Sequence, residues 1–289
     1  MSEGSSEALV TDAGARDRLI AGAVSVLYKL LVYSTILFLM APLVIVVVIS
    51  FQEQGYGGWP PESWSLDWYL LLPQRVESLG LVQALGISLQ VALSTVVVTV
   101  LVGGLAAFAI ARYDFKYSTS LETLLLSPLI YPWLVTGFAI LLVIGRLNTV
   151  YGLGIRMSFW TLLAGHVIVI LPYPTRTILA SLQNFDHTLE EAAQDLFATE
   201  LTTYTKITLP LIKPGLVSGA IFAFILSFNQ YIVSLFLSGS NTQTVPLRLF
   251  NLFYDSPPQQ LAALGTVLMC SILVVVLLAE RGFGISEYM

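Results

Sequence analysis

Residues 82–110, VQALGISLQVALSTVVVTVLVGGLAAFAI, contain no charged side chain and decide the fold of this chain. A helix that crosses a membrane needs about 20 mostly apolar residues, because each residue rises 1.5 Å and the hydrocarbon layer is about 30 Å thick. The stretch exceeds that requirement. It therefore predicts a membrane-spanning helix rather than a core helix of a soluble domain.

The rest of the chain repeats this pattern. Of its 289 residues, 56% are hydrophobic and only 11% are charged. In soluble domains about 45–50% of the residues are apolar and about 25% are charged. The stretches long and apolar enough to span a membrane are residues 30–51, 82–110, 124–144, 159–179, 216–237 and 261–278. The sequence predicts an all-α membrane protein with six transmembrane helices, which form one domain over residues 30–280.

The distribution of Lys and Arg predicts the direction of these spans, because cytoplasmic loops carry an excess of both. With a cytoplasmic N-terminus, nine of the 13 Lys and Arg residues fall on the inner side and four on the outer side. This predicts a multi-pass protein of the cell membrane with both termini cytoplasmic. Residues 1–29 form the predicted cytoplasmic tail, where an apolar stripe within residues 16–28 fits either a short interfacial helix or an extension of the first span.

Several kinds of chemistry are missing from the sequence. It has no Gly-x-x-x-x-Gly-Lys-Ser/Thr loop for a triphosphate, no His-Glu-x-x-His pair and no Gly-x-Ser-x-Gly turn. Two histidines and one cysteine are too few for a recognisable metal site. The net charge of −5, without long runs of one sign, gives no sign of a nucleic-acid surface. The chain is therefore predicted not to be an enzyme and to bind no cofactor or metal.

Three polar side chains within the predicted spans are candidates for a translocation pathway: His166, Asn229 and Gln230. Hydrocarbon offers no water to a polar group, so each must meet a wet cavity or hydrogen-bond to another helix. Both alternatives stay open from sequence. Prolines remove helix hydrogen bonds and can bend the spans; they are Pro42, Pro128, Pro132, Pro172 and Pro174.

Two ridges of small residues predict close helix packing. With a spacing of four, each set lies on one helix face and lets another backbone approach. The ridges are Gly103, Ala107 and Ala111 in the second span, and Gly215, Gly219 and Ala223 in the fifth. The neighbouring helix belongs either to this chain or to a partner chain.

The longest predicted inner loop, residues 183–214, separates the fourth span from the fifth. Thr188 and Glu191 have the spacing of a capping box, which predicts a short helix from Leu189. Its apolar residues share one face at i, i+3, i+4 and i+7, and a second amphipathic piece ends at Pro210. Such a loop is either self-contained or fits a groove of a cytoplasmic partner.

This loop resembles the EAA loop of permease subunits in ABC importers of the type I membrane fold. The match covers Glu191-Ala192-Ala193, position 197, and Ile207, Leu209 and Pro210 at the family's spacing, with Phe197 where the family usually has Gly. The resemblance implies that a short cytoplasmic coupling helix contacts the ATPase. The implied coupling residues are Leu189, Glu190, Glu191, Ala192, Ala193, Asp195, Leu196, Phe197, Ile207, Leu209 and Pro210.

The resemblance extends over about residues 30–285 and is closest to the C-type subunit of the spermidine/putrescine branch. It is carried by Ser65-Leu66-Asp67-Trp68-Tyr69, Ala164-Gly165-His166, Ser227-Phe228, Ser234 to Gly239 and Val245-Pro246-Leu247-Arg248. Polyamine members commonly have an acidic pair where this chain has Asn229 and Gln230. The implied cargo is therefore a small solute, either polyamine-like or another small organic molecule.

The resemblance also implies partners. The chain would pair with a second permease subunit, homologous or identical, and with two cytoplasmic ATPase subunits that use ATP and Mg. An external solute-binding protein would meet the outer loops, residues 55–69 and 240–258, and membrane lipid would surround the spans. The alternative is a secondary transporter or channel subunit not driven by ATP. The scarcity of charged relays in the spans argues against a secondary transporter.

Overall fold

The computed structural model describes the backbone of residues 3–53, 60–113 and 115–283, and the side chains of residues 21–53, 60–113, 115–274, 277 and 281. Within these ranges the regular structure is helical, apart from one antiparallel bridge between Gln52 and Trp64. The prediction of an all-α chain is confirmed. Residues 55–59 of the first predicted outer loop lie outside the described residues. The chain divides into two compact units, Met1–Leu70 with Pro257–Met269, and Leu71–Ser256 with Cys270–Met289.

The first unit contains helix α1 (Glu3–Ser50) and the short helix α2 (Asp67–Leu70). α1 is continuous through Pro42, so the segment before the first predicted span extends that helix. The indole of Trp68 is buried and donates a hydrogen bond to the carbonyl of Gln52 at 2.9 Å. This contact fixes the chain where it leaves α1.

The second unit holds most of the remaining helices. They are α3 (Leu72–Ser78), α4 (Leu81–Arg112), α5 (Ser118–Leu126), α6 (Trp133–Tyr151), α7 (Phe159–Ile170), α8 (Pro172–Gln183), α9 (Thr188–Asp195), α10 (Glu200–Thr203), α11 (Leu209–Leu211), α12 (Lys213–Phe228), α13 (Ile232–Leu237) and α14 (Val245–Leu252). A π-helical turn, Tyr204–Thr208, joins α10 to α11. α15 (Pro258–Phe283) begins in the first unit and ends in the second.

Prolines account for two differences from the predicted spans. Residues 124–144 are not one helix: a 3-10 turn, Ser127–Leu129, follows α5, and α6 begins only after Pro132. Residues 159–179 form two helices, α7 and α8, which meet at a bend of 41°. Pro172 begins α8 because a proline ring cannot supply the N–H that a continuous helix needs.

The fifth predicted span, residues 216–237, is also interrupted. α12 ends at Phe228, and α13 begins at Ile232 after a break that includes Asn229 and Gln230. A single uninterrupted helix was the wrong prediction here. The two polar residues supply hydrogen bonds at the break, as described below.

The two small-residue ridges bring three helices of this chain together. A Cβ added at Gly103 of α4 would lie 2.5 Å from the Thr175 hydroxyl of α8. A Cβ at Gly219 of α12 would lie 2.6 Å from the Thr177 hydroxyl, which is also in α8. The neighbour of both ridges, left open by the sequence, is therefore α8 of the same chain.

Among the described residues, three helices are each long and apolar enough to cross a membrane: Ala21–Ser50, Leu81–Arg112 and Trp133–Tyr151. The number rises to five if each of two bent pairs forms one span. These pairs are α7 with α8, and Glu200–Leu211 with α12, bent by 63°. Pro258–Val274 of α15 is a shorter apolar stretch.

Candidate functional site

The cytoplasmic loop predicted from the EAA spacing contains helix α9, but its start differs from the prediction. The Thr188–Glu191 capping box is wrong, because Thr188 is already the first helical residue and makes no side-chain cap. Instead, the Asp186 carboxylate accepts hydrogen bonds from the Thr188 backbone N–H at 3.0 Å and from its hydroxyl at 2.8 Å. These two bonds lower the pKa of Asp186 below its ordinary value.

The inner face of α9 is held by a carboxylate rather than by the predicted apolar stripe. Glu190 is buried, and its Oε1 accepts a hydrogen bond from Arg112 Nη2 at 2.5 Å and another from the Thr208 hydroxyl. Arg112 is the last residue of α4, and Thr208 lies in the π-helical turn. One carboxylate thus joins α9 to a long membrane helix and to the turn that leads into α12.

Arg112 has further contacts in the same place. Its Nη1 lies 2.5 Å from His187 Nδ1, and its guanidinium carbon lies 5.7 Å and 5.4 Å from the ring centres of Phe108 and Phe185. Aromatic faces attract a guanidinium. The end of α4 is therefore fixed both to the residues just before α9 and to the first turn of α9.

The outer face of α9 is exposed. Leu196 is 82% exposed and Phe197 is 96% exposed, and Glu191, Ala192 and Asp195 are exposed as well. The remaining predicted coupling residues differ in burial: Ala193 and Ile207 are half-buried, and Leu189, Leu209 and Pro210 are exposed. Of the predicted set, Glu190 is the anchor and most of the others present a mixed apolar and acidic surface.

The turn after α9 is a Schellman motif. Phe197 N–H donates to the Gln194 carbonyl at 2.9 Å, and Ala198 N–H donates to the Ala193 carbonyl at 3.0 Å. The residue between these bonds must adopt the left-handed conformation, which favours glycine. Phe197 adopts it, with φ of +63°, and no other non-glycine residue with positive φ is found in the described part of the chain. The turn that the family's glycine would make is present despite the aromatic side chain.

The second candidate region is a polar cluster around His166, which is completely buried in α7. Its Nδ1 lies 2.9 Å from Ser227 Oγ of α12, and its Nε2 lies 3.1 Å from Ser234 Oγ of α13. Ser234 donates its own proton to the Gln230 carbonyl at 2.7 Å. Ser227 Oγ also lies 3.3 Å from Thr95 Oγ1 of α4. His166 therefore connects helices.

Asn229 and Gln230, predicted as a pair, differ in environment. Asn229 is exposed and donates to the Ile225 carbonyl at 2.9 Å. Gln230 is buried, and its Oε1 accepts from the backbone N–H groups of Ile232 and Val233 at 3.1 and 3.4 Å. Gln230 thus caps the start of α13, and its Nε2 has no hydrogen-bond partner in the structure.

The predicted site residues did not include Arg112 and Thr208 at the loop, nor Ser227 and Ser234 beside His166. Arg112 had a visible signal, because it is the first charged residue after the apolar stretch 82–110 and so ends at the membrane surface. Ser227 and Ser234 lie in segments that carry the family resemblance, but nothing in the sequence pairs the hydroxyl residues with His166 or Glu190, since only the fold brings these together.

Comparison with known proteins places the chain in a family. Residues 99–281 match the family described as the binding-protein-dependent transport system inner membrane component. The spermidine/putrescine transport system permease protein PotC of Haemophilus influenzae is 34% identical over 244 residues, which cover 84% of this chain and 91% of PotC.

Solved structures show the same fold at lower identity. The crystal structure of a bacterial ABC transporter involved in import of the acidic polysaccharide alginate matches with a TM-score of 0.65 at 17% identity, covering 89% of this chain and 94% of that one. A second structure, of the alginate transporter in complex with an alginate pentasaccharide-bound periplasmic protein, matches with a TM-score of 0.63 at 17% identity, covering 89% and 93%. The family favours the ATP-driven importer over the alternative of a secondary transporter or channel. This chain belongs to the inner membrane components of binding-protein-dependent transport systems and is a multi-pass permease subunit of an ABC importer.

Proposed function

We propose that this permease forms half of a translocation pathway and couples ATPase closure to alternating access through α9. It would cross the membrane six times, by α1, α4, α6, the bent pair α7 and α8, the broken pair α12 and α13, and α15. Both termini and α9 would be cytoplasmic. ATP and Mg would be used by two partner ATPase subunits, and a second permease and an external binding protein would complete the importer.

The observation that carries this proposal is the division of α9 into an anchored face and a free face. Glu190 holds the inner face to Arg112, whereas the outer face exposes Leu196 and Phe197 to solvent. Large apolar side chains exposed together mark an interaction surface. The EAA spacing supports an ATPase as the protein that covers it.

The anchor also supports a route for the motion. A displacement of α9 pulls on Arg112 and therefore on α4, which packs against α8 at Gly103; α8 in turn packs against α12 at Gly219. Packed helices shift as units between discrete arrangements rather than deforming continuously. The same anchor reaches Thr208, next to α11 and α12, so both ends of the loop move together.

Substitution of the free face tests this coupling. Ala192→Arg places a bulky charge on an exposed position without disturbing the Glu190 anchor. We expect the assembled permease to lose its ATPase subunits on purification and to lose transport. Thr119→Arg, exposed on α5, is the matched control and should retain both. Parental ATPase retention and transport by Ala192→Arg would contradict the proposal.

Thiol labelling tests the orientation. In a Cys270→Ser background, a cysteine at Asn184 should resist a membrane-impermeant reagent in intact cells, and a cysteine at Gln243 should react. The reverse pattern would place α9 outside the cell, where no ATPase can reach it.

For cargo, we propose a small organic solute that passes the break between α12 and α13. The similarity to PotC supports a polyamine-like cargo, whereas Asn229 and Gln230 lack the acidic pair of polyamine members. Because Asn229 is exposed and Gln230 is buried, Asn229→Asp should change transport of cationic against neutral solutes without loss of assembly. Thermal-shift screening of the cognate binding protein would identify the solute; unchanged selectivity in Asn229→Asp would remove this residue from the pathway.

A further inference from the structure

Phe197 occupies a position that this fold makes unfavourable for it. At the left-handed C-terminal turn of α9, any Cβ approaches the following carbonyl, and glycine alone avoids that contact. The two Schellman hydrogen bonds nevertheless hold Phe197 at φ +63°. The backbone therefore gives no reason for an aromatic residue here.

Packing within the chain gives no reason either. The Phe197 side chain is 96% exposed, so its ring packs against little in the part of the chain that the structure describes. A side chain that helps neither the turn nor the core of its own chain can contribute to a contact with another molecule. Aromatic rings bury large areas with only two rotatable bonds, which makes them effective anchors in interfaces.

The surroundings of Phe197 indicate the kind of partner. Leu196 beside it is 82% exposed, and Leu201, in the first turn of α10, is 73% exposed. Acidic residues accompany this apolar group in sequence, Asp195 before Leu196 and Glu200 before Leu201, and both are exposed. The negative charge of lipid headgroups disfavours an acidic segment at the membrane surface, so a protein groove suits it better than the lipid surface.

We propose that Phe197 is a specificity-determining anchor of the ATPase contact, whose ring enters an apolar pocket in the groove of the cognate ATPase. This rests on the proposed function of α9. The Schellman turn fixes the backbone that presents the ring before binding, so little backbone freedom is lost when the subunits meet. A permease with glycine at this position would leave such a pocket empty, and the residue would therefore restrict which ATPase the permease accepts.

Replacement by glycine separates the ring from the turn. Phe197→Gly keeps the left-handed conformation and removes only the side chain. In permease pairs reconstituted in nanodiscs, we expect the Kd for the purified cognate ATPase to rise at least about tenfold, as for an interface anchor. Phe197→Tyr, which keeps the ring, should bind within about threefold of the parental pair. The unfolding temperature of Phe197→Gly should be no lower than that of the parent, because glycine removes the backbone strain at the turn.

Two results overturn the proposal, and a third variant separates it from the proposed function. Parental affinity in Phe197→Gly, or a loss in Phe197→Tyr equal to that in Phe197→Gly, shows that the ring is not an anchor. Ala192→Arg is measured in the same assay. If it abolishes binding while Phe197→Gly does not weaken it, α9 still contacts the ATPase and only the role of Phe197 is wrong. If Ala192→Arg binds as the parent does, the proposed function itself is wrong.

Discussion

The loop that contains α9 and the interior of the helix bundle both bury polar side chains, but they satisfy them by different means. At the loop, a carboxylate and a guanidinium pair directly, with side chains only 9% and 13% exposed. Around His166, neutral hydroxyl, imidazole and amide groups form a chain of hydrogen bonds from α4 to α13. The first region is an ion pair and the second carries no formal charge.

The difference follows from where water is available. A charge in hydrocarbon is costly even when paired, so membrane helices favour neutral polar groups between them. Arg112 is the last residue of α4 and lies beyond the apolar stretch 82–110, and there a charged pair can form. The charged contact is therefore found between the end of α4 and α9, and the neutral contacts are found between the helices of the bundle.

Removal of one charge at the loop should have the largest effect. Glu190→Ala leaves the Arg112 guanidinium buried without its carboxylate, and breaking a buried pair in this way costs about 3–5 kcal/mol. We expect a marked decrease in the unfolding temperature of the purified assembly, together with loss of ATP-driven transport. Glu191→Ala, exposed on the same helix, should change stability little.

A double substitution sharpens this result. Arg112→Met with Glu190→Leu replaces both charges by apolar groups, which is often neutral for stability. The double variant should regain most of the lost thermal stability while transport stays low. If it restores transport as well, the ion pair serves only to hold the fold and does not transmit motion.

Packing at the interior region should have the next largest effect. A Cβ at Gly165, next to His166, would clash with the buried Leu237 side chain and lie 2.8 Å from Val233 Cγ1. Overpacking of this kind costs about 1–3 kcal/mol, so Gly165→Ala should lower the unfolding temperature. Gly86→Ala is the matched control in α4, because nothing lies within 4 Å of the added Cβ. Equal unfolding temperatures for the two variants would mean that α7 and α13 are not tightly packed.

Much of this architecture could be predicted from sequence, for physical reasons that differ by region. The stretch 82–110 became α4, Leu81–Arg112, because length and the absence of charge suffice to define a membrane helix. Similarly, the EAA spacing located α9, because a motif records the positions of contact residues directly. Family membership followed from the same motif.

The breaks could not be predicted in the same way. Residues 216–237 are apolar enough to be one helix, and only the buried Gln230 amide, which caps α13, makes an interruption favourable. Glu190 was assigned to the coupling surface from its motif, but its burial depends on Arg112, 78 positions earlier. Contacts between distant parts of the chain decided both outcomes.

Disruption of the His166 hydrogen bonds should have a smaller effect. Interhelical hydrogen bonds in membranes average about 0.6 kcal/mol, so His166→Leu should cost roughly 1 kcal/mol for its two contacts. A double-mutant cycle with Ser234→Ala measures the coupling, since the effects of partners are not additive. If His166 connects helices, the variant should keep the cargo selectivity of the parent. If His166→Leu instead changes the cargo selectivity, His166 lies on the pathway, which is the other alternative that the sequence left open.

The smallest predicted effect concerns the start of α9, where Asp186 holds Thr188 by two hydrogen bonds and is fully exposed. Because these bonds lower the pKa of Asp186, the ionised carboxylate stabilises the helix start at neutral pH. This contribution is lost as the pH falls below the ordinary carboxyl range of about 4. Asp186→Ala should therefore speed amide hydrogen exchange at Thr188–Glu190, and Asp186→Asn, which keeps an acceptor oxygen but not the charge, should speed it less. Protonated Asp186 keeps a neutral acceptor oxygen, as Asn does, so in acid the parent should approach the exchange of Asp186→Asn while Asp186→Ala still exchanges fastest. If all three exchange alike at neutral pH, α9 is held by the Glu190 anchor alone, and the contrast between the loop and the bundle interior rests on that single ion pair.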